Sequence, residues 1–217
     1  MNTDRRTRLR DAAIGVLAEA GGRGLTHRAV DAAAGVPQGT AKNYFPTRDA
    51  LLRTVAERCL ERYREVADAL AGAGPGPTDR DQLAALLAGL LRDVAGPGRA
   101  RTLAYLELQA ESARRPWLAA LLDPIGSGDF AAHAGLLRAA GLPADPDRVR
   151  ALTVLMHGAL PHLLAGAPAT LAAAGLDDPD AFARGVLAVV CPAEGPADGP
   201  ADGPADERVE PGTAVTG

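Results

Sequence analysis

An all-α fold is predicted for this 217-residue chain by three features of its sequence. Apolar side chains recur at helical spacing along nearly the whole length. β-Branched residues are sparse and aromatics make up only 3% of the composition. The breaks between periodic segments carry Pro or Gly, as in GPG at 96–98, GLPADP at 141–146 and GAP at 166–168. A chain of this length holds one large or two small domains and buries a proper core. Its net charge of −4 is unevenly spread. Residues 1–64 carry 12 basic and 7 acidic side chains, and the remainder carries 11 and 20. A basic head on an acidic body suits a nucleic-acid contact confined to the head.

The first helix is expected over Thr3 to Ala20, with Leu9, Ala13, Val16, Leu17 and Ala20 on one face and Gly21, Gly22 and Gly24 ending it. Arg5, Arg6, Arg8 and Arg10 crowd its start, where they oppose the helix dipole and point to a phosphate partner. Next comes LTHRAVDAAAGVPQGTAKNYFPTRDALL, Leu25 to Leu52. It reads as two short helices joined by a tight turn, then a third helix after Pro46. Thr26 is placed to cap the run Ala29, Val30, Ala33. Gly35 ends that helix in the left-handed position, and Val36 is the buried pivot of the turn. Pro37 lies at or beside the first position of the second helix, where its missing N–H costs nothing. That helix, roughly Pro37 to Phe45, has little apolar surface of its own, so neighbours must hold it and its polar face is left for a partner. This is the logic of a helix-turn-helix.

Thr47 then caps a long helix, Arg48 to Ala71, with an apolar ladder of Leu52, Val55, Cys59, Tyr63, Val66 and Leu70. At 1.5 Å per residue it spans roughly 35 Å and serves as a lever between head and body. Gly72 to Asp79 is a linker. The body reads as helices over Arg80–Ala95, Arg99–Arg114, Trp117–Leu122, Asp129–Ala140, Asp147–Leu164 and Pro179–Val190. From Ala193 a GPAD repeat has almost no apolar content and is expected to be disordered. The division is therefore 1–46 for the helix-turn-helix, 47–71 for the connecting helix, 72–192 for a helical ligand-binding and dimerisation domain, and 193–217 for the tail.

Gln38, Gly39, Thr40, Lys42 and Asn43 are expected to face the major groove. Gln and Asn pair with adenine edges, Lys with guanine O6 and N7, and a Thr methyl meets the thymine methyl. Lys42 is the only lysine in the chain. Thr26, His27, Arg28, Tyr44 and Arg48 would hold phosphates and so fix register. Phe45 is assigned to the core, wedging the recognition helix against the first helix. In the body, the few large or polar residues on apolar helices are the ligand candidates: Tyr105, Gln109, Trp117, Phe130, His133, Met156 and His157. Tyr105 and Gln109 share a helix face. Gly158 and Pro161, flanked by His157 and His162, would kink or loosen their helix. Val149, Leu152, Leu155, Met156, Leu160, Leu163 and Leu164, with Phe182, Val186, Leu187, Val189 and Val190, cover more than one face, so the surplus is expected to meet a second copy.

The run AGVPQGTAKNYFPTRDALL resembles the signature of TetR-type transcriptional regulators. The likeness rests on the turn at Gly35-Val36, a short helix ending in Tyr44-Phe45, the basic Arg48, and Ala50-Leu51-Leu52. It covers roughly residues 5 to 60. Two positions depart from the pattern. Pro37 stands where the family often has Ser or Thr, so a side-chain cap is lost, and the family often has an aromatic residue near Lys42 and Asn43, so base preference is not carried over from it. The segment Arg99 to Leu122 is also similar to one subgroup of the family's ligand-binding domains. The resemblance implies a homodimer formed by a four-helix bundle, a palindromic double-stranded DNA operator, a small-molecule effector, and repression rather than activation.

Catalysis is not expected. The Glu-x-x-His pairs of metal-carboxylate bundles are missing around Glu107, Glu111, His133, His157 and His162, and no nucleophile–base motif appears. Neither a metal nor another cofactor is expected. A constitutive DNA-binding protein is the remaining alternative, its apolar body serving only dimerisation. Cys59 and Cys191 read as reduced core thiols. The charged amino terminus has no signal-like apolar run, and no stretch approaches membrane-spanning length, so a soluble cytoplasmic protein is expected.

Overall fold

The computed structural model describes residues 2–72, 74 and 76–192; the GPAD tail lies outside them. Among the described residues the backbone forms ten helices and no strand. They are α1 (Asn2–Gly24), α2 (His27–Ala33), α3 (Thr40–Tyr44), α4 (Arg48–Gly72), α5 (Arg80–Ala95), α6 (Arg99–Ser112), α7 (Pro116–Ala139), α8 (Pro146–Ala165), α9 (Pro168–Ala173) and α10 (Pro179–Val190). The expected caps are in place: Thr26 Oγ1 accepts from the Ala29 amide at 3.2 Å, and Thr47 Oγ1 from the Ala50 amide at 3.0 Å. Gly35 has φ 62°.

Two elements differ from expectation. The segments Trp117–Leu122 and Asp129–Ala140 are one helix, α7, with Pro124 inside it. Its buried residues Leu118, Leu122, Ile125, His133 and Leu137 keep one helical phase across the Pro-Gly segment, and burying that stripe outweighs the lost backbone bond. Gly128 there serves close approach: a Cβ on it would lie 2.7 Å from the Tyr63 hydroxyl. The expected helix Asp147–Leu164 is present as α8, running through Pro161. Short α9 was not expected at all; it starts on Pro168 and buries none of its residues, so it carries no periodic signal.

Two apolar cores organise these helices. One joins Leu9, Leu17, Val30, Phe45, Leu52 and Val55 of the head and α4 to Ala104 and Leu108 of α6 and to Leu118, Leu122 and Ile125 of α7. The other joins α5, the end of α7, α8 and α10 through Leu83, Leu87, Leu91, Leu137, Leu152, Met156, Ala183 and Leu187. The head is thus not packed on α4 alone. Gly21, at φ 63°, ends the regular part of α1 and turns the chain against α6, where the Gly22 amide donates to Glu107 Oε2 at 3.0 Å. On its other side α1 is tied to α4 by ions. Arg10 pairs with Glu61 at 2.7 Å, and the buried Arg58 holds Asp11 at 2.8 Å and Glu61 and Glu65 at 3.0 Å each. Arg10 is therefore committed inside the protein, while Arg5 and Arg8 are exposed.

Candidate nucleic-acid interface and ligand cavity

The turn and α3 are assembled around one carboxylate. Asp31 of α2 is 2% exposed and accepts from the amides of Gly39 at 2.7 Å and Ala41 at 2.6 Å. These are orphan donors at the start of α3, so Asp31 supplies from the preceding helix the cap that Pro37 cannot supply locally. Pro37 consequently lies before α3 rather than at its first turn, and Gln38 sits in the connecting turn. Gly39 takes φ 92° ahead of the first helical residue, Thr40. That left-handed position suits glycine. The Pro37 carbonyl accepts from both the amide (3.2 Å) and the hydroxyl (2.5 Å) of Thr40.

Only Ala41 of the five-residue α3 is buried; Gln38, Lys42 and Asn43 are exposed. Tyr44 is half-buried, its ring centroid 6.2 Å from that of Phe45. Phe45 is 2% exposed within the head core, with the Arg6 guanidinium carbon 5.9 Å from its ring centroid. His27 Nε2–H donates to the Phe45 carbonyl at 2.5 Å, closing the end of the recognition helix. Arg48 donates to the carbonyls of Leu25 at 3.0 Å and Gly22 at 2.5 Å. Among the phosphate candidates, Thr26, His27 and Arg48 thus also brace the head internally, and Arg28 is exposed.

In the body, two adjoining cavities of about 200 and 610 Å³ open between α4, α5 and α7, and α6 and α8 also line the smaller. Tyr105, His133, Met156 and His157 line the smaller one, and His133 also lines the larger. Gln109 and Phe130 flank a separate cavity of about 420 Å³ together with Tyr105, and Gln109 Nε2 donates to the Tyr105 hydroxyl at 2.8 Å. Trp117 lines none of the three; the Arg53 guanidinium stacks over it, 4.6 Å from the ring centroid.

The sequence reading did not single out Asp129 or Tyr63, which line both adjoining cavities. The Tyr63 hydroxyl donates to Asp129 Oδ1 at 3.0 Å, and His157 Nε2–H donates to Oδ2 at 2.8 Å. Burial pushes the Tyr63 hydroxyl up, and the adjacent Asp129 charge adds to the shift; Tyr105 is raised for the same reasons. Burial lowers His133 below its ordinary value, so its imidazole is neutral at pH 7. The Thr153 hydroxyl donates to the Val149 carbonyl, so His133 Nδ1–H is the donor to Thr153 Oγ1 at 2.9 Å, and Nε2 is left as an acceptor. Burial pushes the Cys59 thiol in the same wall up to about 12, which keeps it protonated. Among the described residues, no group of three or more His, Cys, Asp or Glu side chains is arranged to hold a metal ion.

Gly128→Ala tests how this wall is built. Alanine favours a helix by about 1 kcal/mol over glycine, but its methyl displaces the Tyr63 hydroxyl from Asp129. The expected result is a melting temperature at or near that of the wild type, with Tyr63 rotated away in a crystal structure of the variant. A destabilisation above about 2 kcal/mol with Tyr63 unmoved would contradict it.

The family described as tetracyclin repressor-like, C-terminal domain, matches residues 78–193. The chain is similar to the multidrug binding protein EbrR in its complex with ethidium, at 30% identity over 87% of this chain and 99% of that one, with a TM-score of 0.61. The malachite green complex of EbrR gives 31% identity, 87% and 99% coverage, and a TM-score of 0.60. A TetR family member from Streptomyces coelicolor A3 is 29% identical, with 87% and 99% coverage and a TM-score of 0.61. No curated protein matches the chain.

Proposed function

The chain belongs to the TetR family of transcriptional regulators, and on that premise we propose that it is a repressor, binding a palindromic operator as a homodimer and released by a small-molecule effector. The observation that carries this reading is the double engagement of α6. At Glu107 it meets the Gly22 amide of the head, and at Thr102 and Tyr105 it forms part of the cavity wall. A molecule filling the cavity therefore bears on the helix that seats α1. The other attachment of the head, α4, lines the same cavity through Cys59, Tyr63 and Val66. EbrR, solved with ethidium and with malachite green, supports a small-molecule effector.

The dimer surface is formed by α8 and α10. Val154 (58% exposed) and Leu155 (39%) on α8 and Val189 (75%) on α10 are large apolar side chains left uncovered by the protomer's own core. Pairing these faces sets two recognition helices about 34 Å apart, one turn of DNA. Gln38, Thr40, Lys42 and Asn43 then read base edges, while Arg28, Tyr44 and the head's amides hold phosphates. The effector favours a head spacing that does not fit successive grooves. To switch well, it must bind that state more tightly by several kcal/mol, about 5.5 for a complete reversal.

Fluorescence anisotropy on DNA from the gene's own upstream region, across a salt series, tests this reading. Two protomers are expected per palindrome. Lys42→Ala should weaken binding by about 1–3 kcal/mol if Lys42 reads a base, or lower the salt slope by about one unit if it holds a phosphate. Tyr44→Phe should weaken binding across all sequences. Weak binding without sequence preference, unchanged by either substitution, would overturn the operator assignment.

A further inference from the structure

The two adjoining cavities share Tyr63, Val66, Leu90, Asp129 and His133 as lining residues, so a polar junction lies between two apolar chambers. Among the described residues, Asp129 is the only Asp, Glu, Lys or Arg that lines the larger chamber. In the smaller, Arg101 is the only other among the described residues, and it is matched by Asp93 at 2.6 Å. Among the described residues, no Lys or Arg is paired with Asp129. Its partners are the Tyr63 hydroxyl, 3.0 Å from Oδ1, and the His157 imidazole, whose Nε2 lies 2.8 Å from Oδ2. His133, held neutral by burial, adds an acceptor nitrogen and no cation. The Asp129 side chain is 26% exposed, so its oxygens remain reachable from the cavities. A carboxylate in such a place is stabilised by its two donors, yet it leaves the surrounding walls at negative potential, and low-polarity walls focus that field.

We propose that the effector is a lipophilic organic cation whose charge lies against the Asp129 carboxylate and whose apolar groups occupy both chambers. This rests on reading the cavities as the effector site. It also assigns selection by charge to one residue and selection by shape to the walls. Leu90 and Leu91 of α5, Ile125 of α7 and Leu160 of α8 line the smaller chamber; Leu86 and Leu136 line the larger. An anion of the same shape would meet Asp129 with no cation free to compensate it, because Arg101 is already paired. A neutral compound would gain the apolar contacts alone.

Isothermal titration calorimetry of the full chain with tetraphenylphosphonium and tetraphenylborate tests the proposal, because the two ions share a shape and differ in sign. Triphenylphosphine oxide serves as the neutral companion. Wild-type protein is expected to bind the phosphonium about a hundredfold or more tightly than the borate. Asp129→Asn, which keeps the size and the hydrogen-bonding oxygen, is expected to weaken the phosphonium about tenfold or more while leaving the phosphine oxide unchanged. Equal affinity for the two ions, preference for the borate, no binding of the phosphonium, or indifference of the phosphonium to Asp129→Asn would each overturn the proposal. The wild-type comparison stands even if the variant does not fold. No operator is needed, so the two readings fail separately. Release of DNA by a neutral or anionic compound alone would overturn the cation and leave the regulator standing. Asp129-dependent phosphonium binding by a protein without operator affinity would uphold the cation site and not the regulator.

Discussion

Asp31→Ala is expected to unravel the recognition helix and reduce operator binding to the non-specific level. Two amides, those of Gly39 and Ala41, lose a buried charged acceptor at once. Bonds to charged groups are worth about 1.5–3 kcal/mol each and a lost cap about 0.5–2, so the loss in stability is about 2–4 kcal/mol. The helix has five residues and one buried side chain, and nothing else on it is strong enough to compensate. Asp31→Asn keeps one acceptor oxygen but turns an amide group toward one of the donors, and should show about half the loss. Hydrogen exchange at Gly39 and Ala41, read beside thermal unfolding and DNA anisotropy, checks the result. Wild-type protection of both amides in Asp31→Ala would refute the assignment.

Phe45→Ala is expected to cost about 3–5 kcal/mol, the range for removing a buried aromatic ring. For a chain of this size that corresponds to a fall in melting temperature of about 2–4 °C per kcal/mol. The ring fills the space beneath α3 in the core shared with α1 and α4, and its backbone carbonyl is the acceptor for His27. The variant should therefore lose stability and DNA affinity together. Phe45→Leu, which retains most of the volume, should cost about 1 kcal/mol and keep operator binding. Equal melting temperatures for the alanine and leucine variants would show that the ring does not fill this core.

What the sequence made legible was punctuation that acts locally. Thr26, Gly35 and Thr47 each act within a few residues of themselves, and each cap and turn they imply is present in the structure. Asp31 escaped notice because its partners lie in the following turn and helix. The missing cap at Pro37 was visible, and a carboxylate one helix upstream was the clue to its replacement. In α7 the local signal misled: Pro124, Gly126 and Gly128 read as a break, whereas the apolar stripe from Leu118 to Leu137 kept phase through them. The cavity was half legible. Tyr105, His133, Met156 and His157 stand out as unusual residues on apolar helices, but Asp129, the first residue of an expected helix, looks like any helix-starting acid. Its importance arises from Tyr63, 66 residues away, and from His157, 28 away. Only folding puts those three together.

The division of the two cores has a consequence for recombination. The core beneath the recognition helix is completed by α6 and the start of α7, so a cut at the linker around Gly74 crosses shared packing instead of separating two units. A foreign head grafted there would arrive without the surface that receives Gly21 and Gly22, and the receiving body would keep Ala104, Leu108 and Leu118 facing an unfamiliar helix. A new DNA specificity is therefore better introduced by exchanging exposed side chains on α3 than by exchanging the head.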